Sequence, residues 1–190
     1  MTALVTVAVA LAVALSAVGW FLPRSGPWRG LAAATLAAGL AALGLVAVLH
    51  GPVGTASAGF PDALLVNLFA VAVFGGGPLS AAVLGLADSA DAGRVRGAHA
   101  EQVLRGGAWI GAFERTAVFA SLVAGWPEGL AVVLALKGLG RYSELRADAG
   151  EPGRTAAPDA GGVAERFIIG TFASVLWAVA CAGAHAGLTR

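Results

Sequence analysis

The stretch GLAAATLAAGLAALGLVAVLH, residues 30–50, runs for 21 residues without a charged side chain and with one hydroxyl, Thr35. About 20 mostly apolar residues are what an α-helix needs to cross the hydrocarbon core of a bilayer. A helix that is apolar all round belongs in a buried core or in lipid. Outward from this stretch the same reading recurs, giving candidate spans at Thr2–Leu22, Gly30–His50, Asp62–Ala87, Gly106–Gly125, Glu128–Arg146 and Val163–Gly187. The fold expected is all-α: one transmembrane domain over residues 1–190, a bundle of six helices. Bulk composition agrees. The chain is 58% apolar and 12% charged with a mean hydropathy of +0.81, against about 45–50% and about 25% for soluble domains. These values exclude disordered, collagen-like and disulfide-framework classes and fit a soluble enzyme domain poorly. Thr2–Leu22 lacks a basic leader and is longer than a signal-peptide apolar core, so it is expected to stay as the first helix.

Orientation follows from arginine placement. Arg24 and Arg29 flank the first connection, Arg94, Arg96 and Arg105 lie in the third, and Arg146 and Arg154 in the fifth. The second and fourth connections carry none. Odd-numbered loops are therefore expected in the cytoplasm and both termini outside. The Ala-, Val-, Gly- and Arg-rich usage resembles that of a GC-rich bacterial proteome, which makes the membrane the cell membrane. A net charge of +1 offers no field for nucleic acid.

The third span contains Val73-Phe74-Gly75-Gly76-Gly77-Pro78-Leu79-Ser80. Pro78 removes a donor, and the glycines remove side chains. Two readings stand. One is a kinked helix packed tightly on its neighbours. The other is a broken helix whose second half, from Leu79, aims its N-terminus at a ligand.

Four ionisable residues fall inside spans rather than in loops: Glu114, Arg115, Lys137 and Arg141. At 1.5 Å per residue Glu114 lies about 12 Å from the start of its span, at a depth overlapping Lys137 and Arg141. Each such group costs at least ~2.5–3.5 kcal/mol to insert, so they are expected to pair or to line water, facing the bundle. Gly107, Gly111, Glu114 and Ser121 share a stripe, which places Glu114 where another helix approaches closely. Lys137, Arg141 and Glu144 form a stripe on the fifth helix. On the sixth, Glu165 precedes a face of Arg166, Gly170, Ser174 and Trp177, with Thr171 a second hydroxyl at that depth. Three acidic residues (Glu114, Glu144, Glu165) oppose four basic ones (Arg115, Lys137, Arg141, Arg166). The deepest four carry two excess positive charges. A missing anion accounts for such an excess; a snorkelling Lys137 would leave a structural ion-pair cluster instead.

The runs Ile110-Gly111-Ala112-Phe113-Glu114-Arg115, Lys137-Gly138-Leu139-Gly140-Arg141 and Glu165 to Ser174 with Gly170-Thr171 together resemble a pattern of uncharacterised bacterial integral membrane proteins. The resemblance covers the second half of the chain. It implies a polytopic membrane fold and names no substrate. No phosphate-cradling glycine motif occurs. Asp88 and Asp91 are read as a solvated helix end, and His50, His99 and His185 are too dispersed for a metal, so no metal and no cofactor are expected. Trp20, Trp28, Trp109 and Trp126 sit near span ends as interfacial anchors. Cys181 is read as a small core residue. The candidate ligand-binding set is thus Glu114, Arg115, Lys137, Arg141, Glu144, Glu165, Arg166, Thr171 and Ser174, in a small anion or solute transporter or channel. The alternatives are a membrane enzyme on phosphate-bearing lipid headgroups, with Arg141 and Arg166 holding phosphate and Glu114 as base, or an assembly subunit. Expected partners are the lipid bilayer, a small anion, and a further copy or another membrane protein.

Overall fold

The computed structural model describes residues 2–21, 28–50, 60–90, 107–149 and 160–189. All five segments are helical: α1 (Thr2–Phe21), α2 (Trp28–His50), α3 (Phe60–Ala90), α4 (Gly107–Val123), α5 (Glu128–Ala149) and α6 (Ala160–Thr189). Among the described residues there is no strand. The helix ends all fall within three residues of those expected from the apolar runs. The loop residues Arg24, Arg94, Arg96, Arg105, Arg154, Asp91 and His99 lie outside the described residues. Three stretches, Gly30–Leu49, Pro61–Ala87 and Glu165–Thr189, are long and apolar enough to cross a membrane.

Antiparallel helices α3 and α6 form the centre. Trp177 of α6 donates its indole N–H to the Val71 carbonyl of α3 at 3.0 Å. Further along, the Leu84 side chain of α3 lies over Gly170 of α6. The register therefore runs in opposite senses. Helix α4 is also antiparallel to α3, since Phe119 meets Phe69 edge-on at 5.8 Å while Arg115 meets Val73. It follows that α4 and α6 run parallel to each other. Helices α1 and α2 pack together and cover the opposite side of α3, and α2 also touches α6. The core between them is apolar, built from Val5, Val9, Leu36, Leu68, Ala72, Trp177 and Cys181.

Small residues set how closely the helices approach. At Gly75 an added Cβ would lie 3.0 Å from both the Ser16 hydroxyl of α1 and the Trp177 ring of α6. At Gly187 it would lie 3.1 Å from Ala47 of α2. Helix α3 runs unbroken through the Gly75-Gly76-Gly77-Pro78 run, with Pro78 inside it. The broken-helix expectation is thus not met. The glycines serve as contact points for neighbouring helices, and the carbonyls around them find donors in Trp177, Arg115 and Ser80.

Helices α4 and α5 form a tight hairpin. Gly125 takes φ 75°, and Gly125 N–H donates to Leu122 O while Trp126 N–H donates to Ser121 O. This is a Schellman closure, in which a left-handed glycine satisfies the last carbonyls of the helix. Gly129 then lies against Ser121, where a Cβ would be 2.6 Å from the serine Cβ.

Replacing Trp177 by Phe should cost about 1–3 kcal/mol, from one lost buried hydrogen bond and a partly unfilled site. Thermal melting of the purified protein in detergent checks this, and an unchanged melting temperature would remove the α3–α6 lock from the account.

Candidate functional site

The polar groups of the helix bundle converge where α4 crosses the midpoint of α3 and α6. Arg115 is 3% exposed. Its Nε donates to the Val73 carbonyl at 2.9 Å and its Nη1 to the Ser174 hydroxyl at 3.0 Å. The side chain lies in a notch at Gly76, where an added Cβ would overlap its Cδ and sit 2.7 Å from its Nε. Helical arginines lean toward the N-terminus of their own helix. Accordingly Nη1 reaches back one turn, to 3.1 Å from where a Cβ of Gly111 would be.

Glu114, the neighbouring residue, points elsewhere. It pairs with Lys137 of α5, as the overlapping depths predict, and the ammonium also sits 5.5 Å above the Phe167 ring of α6. The two side chains are 12% and 20% exposed. Such a pair in a bundle interior is held by the absence of competing water, and breaking one side leaves a charge without a partner. This contact joins α5 to α4, and Lys137 over Phe167 joins α5 to α6. Glu114 and Ser121 of the Gly107, Gly111, Glu114, Ser121 stripe face α5, and Ala112, Arg115, Val118 and Phe119 of α4 are buried as well.

With Glu114 neutralised by Lys137, Arg115 is, among the described residues, the buried cation left without an ion pair. Among the described residues its hydrogen-bond partners are a carbonyl and a hydroxyl, and no ion pair to a carboxylate is formed. Taking a guanidinium out of water costs several kcal/mol per ion, and neutral dipoles offset only part of that.

Thr171 is 8% exposed and its hydroxyl oxygen has no hydrogen-bond partner. This sets it apart from the other helix hydroxyls. Ser16, Ser80, Thr116 and Thr189 donate to the carbonyl four residues back, and Thr35 and Ser121 to the carbonyl three back. Ser174, 5% exposed, accepts from Arg115 through its oxygen and so keeps its own O–H as a donor.

Of the residues expected at the site, Arg115 and Ser174 are brought into contact, and Glu114 with Lys137 forms a second, adjacent pair. Thr171 precedes Ser174 by about one turn of α6. Glu165 is exposed and Arg166 partly buried toward the start of α6. Arg141 and Glu144 lie on α5, but their side chains are outside the described residues. Sequence reasoning spread the excess charge over Arg115, Lys137 and Arg141; among the described residues Lys137 is paired with Glu114, and Arg115 is the buried cation. The residues it missed are Val73 and Gly76. The triple glycine was the signal for them, since a notch in one helix implies a large side chain from another. Trp109 and Trp126 are exposed, as anchors should be. Among the described residues there is no group of acidic, His or Cys side chains that could hold a metal. A separate groove of about 650 Å³ between α2 and α6 is lined by Ala41, Gly44, Val83, Gly183 and similar residues, and its apolar walls carry no chemistry.

Compared with protein-family models, with curated proteins and with solved structures, the chain gives no match.

Two outcomes follow from this geometry. Ala in place of Gly normally gains up to about 1 kcal/mol in a helix. Gly85 of α3 has nothing within 4 Å of an added Cβ, so Gly85→Ala should be neutral or stabilising. Gly76→Ala should lose about 1–3 kcal/mol or more because Arg115 must leave its notch; equal melting temperatures for the two variants would contradict the notch. For the ion pair, a double-mutant cycle of Glu114→Gln and Lys137→Met should give a coupling of about 1–3 kcal/mol, and additive losses would show that the two charges do not depend on each other.

Proposed function

We propose that this is a six-helix protein of the cell membrane, with both termini outside, that binds a small anionic solute in the bundle interior and passes it across the bilayer. The observation that carries the reading is Arg115: a guanidinium buried at the midpoint of the two central helices, without a carboxylate among its described partners. An ionisable group at membrane depth is costly enough that a purely structural role is a poor return on it, and such groups mark solute or ion pathways. An anion at Arg115 supplies the missing charge.

The outer surface supports the membrane part of the reading. Each of the six helices carries a large apolar side chain more than half exposed: Leu11, Val48, Val66, Phe113, Leu136 and Leu176. An apolar surface of this extent on every side is unstable in water and comfortable in lipid. Helices α1, α4 and α5 complete the bundle as spans because α4, at 17 residues, reaches about 25 Å and is flanked by the exposed anchors Trp109 and Trp126. The orientation rests on the arginines of the first, third and fifth connections.

The topology is tested by labelling. Cys181 is fully buried, so the protein offers little background to a membrane-impermeant thiol reagent. Ser89→Cys, at the end of α3, should stay unlabelled in intact cells and react once the membrane is opened; labelling in intact cells would reverse the orientation. Transport is tested by reconstituting the purified protein in liposomes and following efflux of chloride and of formate. Flux above that of empty vesicles is expected, reduced at least tenfold by Arg115→Gln and unchanged by Arg94→Gln. Flux indistinguishable from empty vesicles for every small anion would overturn the transport reading.

A further inference from the structure

The geometry points to Thr171, Ser174 and Arg115 as a single anion site, selective for a small monovalent anion such as a halide, nitrate or formate. This deepens the transport reading and rests on it for its purpose, although not for its geometry. Three observations converge. First, Arg115 brings a buried positive charge that none of its described partners neutralises. Second, the hydroxyl of Thr171 is buried and has no partner, while comparable hydroxyls in α1, α2, α3 and α4 bond back to their own helix. Third, Ser174 uses its oxygen to accept from Arg115, so its proton is directed away from that bond.

The register brings these groups to one place. Because α4 and α6 run parallel and Arg115 meets Ser174, the turn before Arg115 on α4, at Gly111, is level with the turn before Ser174 on α6, at Thr171. The guanidinium reaches back to the Gly111 level, the level at which Thr171 stands on α6. Side chains three apart on a helix are neighbours. The cluster thus offers guanidinium N–H and two hydroxyl O–H groups as donors. Donor-rich and acceptor-poor sites with one net positive charge suit one negative charge.

Charge limits the ligand. The Glu114–Lys137 pair next to the site is neutral, so among the described residues Arg115 is the buried cation to be balanced. A dianion would bring a second charge with no partner.

The test is thermal melting of the delipidated protein in neutral detergent, at constant ionic strength, as sodium gluconate is exchanged for sodium chloride, nitrate, formate or sulfate. A ligand that binds only the folded state raises the melting temperature saturably. We expect a saturable rise of several degrees with chloride, nitrate and formate and none with sulfate. Thr171→Val should weaken the apparent affinity at least tenfold while leaving the melting temperature in gluconate equal or higher, because it removes an unpartnered hydroxyl without changing shape. Ser174→Ala provides a second variant with the same expected loss of anion dependence. The site is overturned if all four salts leave the unmutated protein unchanged, or if both variants keep its full anion dependence, as they would were Thr171 served by water. It is also overturned if added phosphatidylglycerol in gluconate reproduces the rise and Thr171→Val abolishes it, since the ligand would then be a lipid headgroup. Liposome flux without saturable stabilisation would remove this site and leave transport standing. Stabilisation without flux would do the reverse.

Discussion

The buried guanidinium of Arg115 is the constraint to which the rest of the bundle conforms. A charge at that depth is tolerated only where the surrounding helices supply oxygen atoms and no atom stands in the way. Helix α3 meets both needs. It offers the Val73 carbonyl to Nε, and it has no side chain at Gly76, the position the arginine stem crosses. Helix α6 supplies Ser174. The same segment of α3 serves α6 at Gly75, where the Trp177 ring lies flush with the backbone. Consecutive glycines thus receive two large side chains from two different helices, and this is why α3 touches α1, α2, α4 and α6.

A run of three glycines before a proline would ordinarily weaken a helix. Here the helix persists from Phe60 to Ala90 with its neighbours packed against the glycines. Trp177 of α6 and Arg115 of α4 donate to the Val71 and Val73 carbonyls, and Ser80, within α3, donates to that of Gly76. Helix α5 is bound differently. It closes on α4 through the left-handed Gly125, Gly129 against Ser121 and Lys137 with Glu114, and Lys137 also lies over Phe167 of α6. It is the helix least committed to the core, and it is also the one that neutralises Glu114.

The helices were legible in the sequence because apolar runs of bilayer length leave little choice, as with residues 30–50. The Glu114–Lys137 pair was legible as well, since helical rise alone puts the two at overlapping depths. Arg115 was not singled out from Lys137 and Arg141, because depth says nothing about azimuth. Which of two adjacent residues faces the core depends on where α3 has its notch, and that is a property of another helix. The Gly107, Gly111, Glu114, Ser121 stripe did mark a close helix approach at Glu114, but a glycine stripe does not say which helix approaches, and on this face it is α5. The glycines of α3 carried the missing information: they were read either as a tightly packed kink or as a break, and the tight packing is what the structure has, but neither reading says which side chain fills the notch. Thr171 and Ser174 were placed at the right depth by their spacing; that one is bonded and the other not is decided by side-chain contacts that no pattern in α6 alone specifies.

The central claim, that the interior of this bundle holds an uncompensated arginine awaiting an anion, is tested most directly by anomalous diffraction from crystals grown in bromide. The account predicts an anomalous peak within hydrogen-bonding distance of the Arg115 guanidinium and the Thr171 hydroxyl. An Arg115 paired with a carboxylate, or a well-ordered water at Thr171 with no bromide peak beside it, would contradict it.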